Sequence, residues 1–85
     1  MAMNNKLDWI SVENLIQEIL RQQQKNLLAC AKRIVPHVTE EDLLQPNDFP
    51  LLENSSLFRY EEGLLAGIQT VEMALRAHLK DSLNS

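Results

Sequence analysis

His37, His78, Cys30 and the glutamates are the side chains of this chain that could ligate a metal ion or handle protons near neutral pH. Metal and acid–base sites on helices need their members one turn apart on one face, and the sequence has no HxxxH, no ExxH and no CxxC. His78 falls at the edge of an apolar stripe and His37 follows a proline, so both read as partly exposed structural histidines. Cys30 lies on an apolar helix face, where a thiol behaves as a small hydrophobe rather than a nucleophile. The two glycines follow no strand and form no phosphate loop. The expectation is therefore no catalytic residue, no metal and no cofactor. The alternative is a small metal- or ligand-binding helical bundle enzyme that would draw on Glu61, Glu72 and His78.

The elements that would position these residues are two amphipathic stretches. In the first, Val12, Ile16, Ile19, Leu20, Leu27, Cys30, Ala31 and Ile34 share one broad face at 3.6-residue periodicity. Ser11 is the expected N-cap with Asp8 as the alternative, and Pro36, preceded by Lys32 and Arg33, ends the helix near Val35. The second stretch carries Leu57, Tyr60, Leu64, Ile68, Val71, Leu75 and Leu79, flanked by Phe58 and Leu65, with its start among Asn54 to Ser56. In both stretches residues eleven apart coincide, Val12 with Gln23 and Ile34, and Leu57 with Ile68 and Leu79. That period predicts nearly straight or slightly right-handed packing.

Between them, residues 36–56 exceed the usual 2–8 residues of a helix–helix connection and should be structured. Thr39 to Asp42 followed by Leu43 and Leu44 reads as a capped helical turn ended by Pro46, and Leu51 and Leu52 suit another. Phe49, Leu43, Leu44 and Leu51 are expected to cover the end of the hairpin. The predicted fold is all-α: an antiparallel hairpin of two long helices, residues 11–35 and 56–82, with one or two short helical turns between them and residues 1–7 as a frayed leader. The whole of 1–85 reads as one domain.

Composition narrows the partners. The net charge of −4 opposes nucleic-acid binding, since Arg21, Lys25, Lys32 and Arg33 are diluted by acids elsewhere. No segment approaches the roughly 18 uninterrupted apolar residues of a membrane span, and the first residues lack the apolar core of a secretory signal. One cysteine cannot form an intramolecular disulfide, so a cytoplasmic location is expected. A chain of this size buries only about 60% of its unfolded surface, which leaves a thin stability margin.

Three groups of residues carry the functional expectation. Gly63 and Gly67 lie one turn apart, and Ala66, Thr70, Ala74 and Ala77 continue a strip of small residues. The strip reads as a place of close approach for another helix, of this chain or of a partner, or else as room for the connection to pack across. Gln23, in the middle of the first apolar face, reads as a register-fixing polar residue or a solvated one. Glu61 and Glu72 are expected at the solvated edge of the second stripe. Phe49, Phe58 and Tyr60 form either a small secondary core or a recognition surface. The apolar arc, widened by Leu15, Leu28, Val35 and Leu65, exceeds what one helix–helix seam needs. The expectation is a protein–protein interaction module whose partner is itself or another helical protein. Assembly of a homodimer into a four-helix bundle follows from it, with Gly63, Gly67, Ala74, Gln23, Leu15, Leu28 and Leu65 at the contacts.

Overall fold

The computed structural model describes the backbone of residues 8–84 and the side chains as far as residue 81; the expected leader, residues 1–7, lies outside the described residues. Helix α1 spans Trp9–Ile34. Two 3₁₀ turns follow, Glu41–Leu44 and Pro46–Asp48, then the short helix α2, Pro50–Glu53, and the long helix α3, Ser56–Asn84. The long helices run antiparallel and pack together, bringing Trp9 to His78, Glu13 to Arg76 and Gln23 to Glu61.

Local chemistry sets each boundary. Asp8, in extended conformation, caps α1 by accepting a hydrogen bond at Oδ1 from the Ser11 N–H at 2.8 Å. The expected cap at Ser11 is thus corrected: a carboxylate two residues before Ile10 makes a charge-assisted bond at the positive end of the helix dipole, and Ser11 becomes its donor. That bond, with the Ser11 hydroxyl adding to it, holds the Asp8 carboxyl below its ordinary value of 3.8. At the other end the Val35 N–H reaches the Ala31 carbonyl at 2.7 Å, and Pro36 stops propagation. In the connection, Thr39 and Asp42 exchange hydrogen bonds, Thr39 N–H to Asp42 Oδ2 at 2.9 Å and Asp42 N–H to Thr39 Oγ1 at 3.3 Å. This is the reciprocal arrangement of a capping box. Pro46 and Pro50 open the next two turns, and the Ser55 hydroxyl accepts from the Phe58 N–H at 3.2 Å to start α3.

The core gathers where the connection lies against the long helices. Leu27, Cys30 and Ala31 of α1, Val38 and Leu52 of the connection and Phe58 of α3 form one buried cluster, and Leu28, Val35, Leu43, Phe49 and Leu65 pack around it. Two expectations change here. Leu44 and Leu51 point to solvent, 76% and 67% exposed, and it is Val38 and Leu52 that seal the hairpin end.

Helix α3 is also rotated relative to the expected core face. Phe58, Glu61, Leu65, Ile68, Glu72, Leu75 and Leu79 are buried or half-buried, whereas Leu57, Tyr60, Leu64 and Val71 are exposed. The inward positions alternate by three and four residues, as Ile16, Leu20, Gln23, Leu27, Cys30 and Ile34 do on α1. This is a seven-residue spacing rather than an eleven-residue one. The physical reason is the connection: by packing Leu43, Phe49 and Leu52 on one side of α3 it draws Phe58 and Leu65 inward and turns the Leu57–Leu64–Val71 line out. Among the described residues, no helix is long and apolar enough to cross a membrane.

Candidate functional site: an uncharged helical face

Polar side chains sit inside the seam between α1 and α3. Gln23, only 7% exposed, donates from Nε2 to Glu61 Oε1 at 2.8 Å and to the Glu61 carbonyl at 3.1 Å, and its Oε1 accepts from Asn26 Nδ2 at 3.2 Å. Two turns further toward the N-terminus of α1, Gln17 donates to Glu72 Oε2. Arg76 bridges Glu72, at 3.2 Å, and Glu13, at 3.3 Å. Glu61 and Glu72 are therefore not solvated edge residues, as the sequence led one to expect, but half-buried acceptors facing α1. Every buried side-chain polar atom among the described residues has a partner. A seam satisfied in this way resists sliding, because a shift of α3 by one turn would leave Gln23 and two carboxylates without their partners.

The same bonds bear on the bundle-enzyme alternative. Glu61 and Glu72 stand eleven residues apart, about 17 Å along the helix, and His78 lies about 9 Å beyond Glu72. Both carboxylates are engaged by α1, and His78 is exposed, its ring 6.5 Å from that of Trp9. The structure does not bring these three residues together. Among the described residues no three His, Cys, Asp or Glu side chains converge as a metal-holding group. Cys30 is buried in the core and His37 is exposed after Pro36.

What the fold does create is an open face on the side of the hairpin away from the connection. Ile16 and Ile19 of α1 meet Gly63, Leu64, Gly67, Ile68 and Val71 of α3 along an apolar groove. The face extends by helical spacing through Val12, Leu15, Gln22 and Asn26 on α1, and through Leu57, Tyr60, Ala74 and His78 on α3. On this face Ile19, Leu64 and Val71 are 41%, 40% and 51% exposed. Between Val12 and Asn26, and between Leu57 and His78, this face carries no Asp, Glu, Lys or Arg. The charges of both helices instead stand on other faces or in the seam.

The expected contact residues divide between these two environments. Gln23 lies in the seam, and Leu28 and Leu65 pack on the core beneath the connection. Leu15, Gly63, Gly67 and Ala74 lie on or beside the open face, all exposed. A Cβ built on Gly63 or Gly67 would meet nothing within 4 Å, so neither α1 nor the connection makes a close approach at the two glycines. The aromatic trio also separates: Phe58 is completely buried, which corrects its reading as a recognition residue, Phe49 is half-buried on the core, and Tyr60 alone stands largely exposed, on the open face. Phe58 is the largest fully buried side chain and is the one the connection closes over.

Sequence reasoning missed Val38 and Leu52 as core and missed the absence of charge on the exposed stripe. The second was available as a signal, since charged residues are missing at every third or fourth position from Leu57 to His78. No family model, curated protein or solved structure matches the chain.

Proposed function

We propose that this chain is a non-catalytic, cytoplasmic protein–protein interaction module that acts through the uncharged face of its helical hairpin. The observation that carries the reading is the conjunction, on that face, of exposed Leu57, Leu64, Val71 and Ile19 with the absence of charge. Isolated apolar residues on a surface are ordinary, but a continuous apolar strip along two adjacent helices, rimmed by charged residues, is what one helix surface offers to another. A lone buried cysteine suits a reducing compartment. The polar seam supports the reading from inside: by fixing the register of α1 against α3 it gives the face a constant shape, which lowers the entropy lost on docking.

The test is Val71→Lys. The side chain is half exposed and lysine is a good helix former, so the variant keeps its helical content by circular dichroism. With tagged and untagged chain expressed together in the native cell, the wild type retains a stoichiometric protein, this chain itself included among the candidates, and the variant loses it. Equal recovery by wild type and variant contradicts the reading.

A further inference from the structure

Resting on the interaction reading, we infer that the occupant of the open face is a second copy of this chain, joined about a two-fold axis that sets Gly67 of one α3 against Gly67 of the partner, so that two hairpins close into a four-helix bundle. Charge points to the chain itself. Each copy carries a net charge of −4, so two copies repel over most of their surface. The uncharged face is the one through which they meet without setting like charges opposite each other, since in a two-fold interface each patch faces its own equivalent. A partner selected by charge would need a complementary charge on this face, and from Leu57 to His78 there is none.

Size agrees. The uncharged stretch of α3 is about 33 Å long, and two helices side by side are about 20 Å across. The flat projection is then on the order of 650 Å², and side-chain relief brings the accessible area close to the roughly 800 Å² that each partner contributes to a standard stable interface.

Position within the face assigns the glycine. Halfway between Leu57 and His78 along α3 the chain is at Gly67, and a two-fold axis through the centre of a self-complementary patch passes there. Glycine inside a helix costs about 1 kcal/mol relative to alanine, and inside this chain nothing occupies the space that the cost opens, within 4 Å of a built Cβ at Gly63 or Gly67. In the dimer that space takes the backbone of the partner's α3, with Leu64 and Val71 closing over the crossing from either side.

Sedimentation equilibrium of the purified full-length chain over a range of micromolar concentrations, with circular dichroism beside it, tests the inference. The wild type is expected to be a dimer. Gly67→Leu should keep full helical content, because a Cβ at this position meets nothing within 4 Å and leucine is a better helix former than glycine, while association weakens at least tenfold through overpacking at the crossing. As a second measurement, Gly67→Cys should form a disulfide-linked dimer under mild oxidant, since only a position on the axis meets its own equivalent within disulfide reach. Ala66→Cys, on another face of α3, should not. A wild type that is a folded monomer throughout, or a dimer indifferent to Gly67→Leu and uncrosslinked by Gly67→Cys, overturns the inference. If the wild-type monomer still retains another protein that Val71→Lys loses, the second copy is refuted and the interaction reading survives; if nothing changes in either experiment, both fail.

Discussion

The two ends of the hairpin are stabilised by different means. At the connection end Leu27, Cys30, Ala31, Val38, Leu52 and Phe58 are buried together, with contributions from both long helices and the segment between them. At the far end α1 and α3 meet along a seam of half-buried Val12, Ile16, Leu75 and Leu79, held in register by Gln17, Glu72, Arg76 and Glu13, and no third element lies over the helices there among the described residues. At the connection end one side of the hairpin is covered by the chain's own connection; at the far end that side is uncovered too, and the uncharged face lies open along both. The comparison teaches that a hairpin this long, with α1 and α3 spanning 26 and 29 residues, is closed by its own connection over only part of its length.

The largest effect should come from removing the centre of the connection end. Phe58→Ala is expected to lower unfolding free energy by about 3–5 kcal/mol, measured by urea denaturation, because the ring is completely buried and its site has rigid helices on two sides. A loss below 1 kcal/mol would mean that this end is not the main core. Gln23→Leu should cost about 1–3 kcal/mol by leaving the Glu61 carboxylate half-buried without its donor, and the double change with Glu61→Leu should recover most of that loss while weakening the preference for one register. A single variant as stable as the wild type would remove the seam from the account. Leu75→Ala, at the far end, should cost only about 1–2 kcal/mol, since the side chain is half-buried. A value equal to that of Phe58→Ala would erase the distinction between the ends.

The smallest effect concerns the start of α1. The Asp8 carboxyl is held below 3.8 in the folded chain by Ser11, so its contribution is complete above that value and is lost as pH falls through the lower, folded-state value. Asp8→Asn keeps a capping side chain but no titration. The variant should show a flatter decline in melting temperature below pH 4 than the wild type, and parallel acid profiles would deny the Asp8 cap that role.

The helices themselves were legible because apolar periodicity and cap chemistry are local: Pro36, Lys32 and Arg33 end α1 where expected, and Ser55 opens α3 within the predicted window. The rotation of α3 was not legible, since its apolar arc holds two parallel lines, through Phe58 and Leu65 or through Leu57 and Leu64, and periodicity alone does not say which faces inward. The choice was made by Val38 and Leu52, one in the irregular stretch after α1 and the other in a four-residue helix, neither long enough to show a repeating face. The choice between Asp8 and Ser11 as cap is not local, because a serine before a run of helix formers is an equally good signal. Gly63 and Gly67 are unusual on helix propensity alone, while their openness to solvent depends on where the connection lies.

The central claim is that one end is closed by the chain itself and the open face is closed by a second copy. Residue-resolved amide hydrogen exchange at two protein concentrations, one below and one above the association range, tests it directly. Protection of Leu15 to Ile19 and of Gly63 to His78 should rise with concentration, while protection from Leu27 to Phe58 should respond less. Protection that is independent of concentration at every amide, in a chain that is fully folded, would contradict the account.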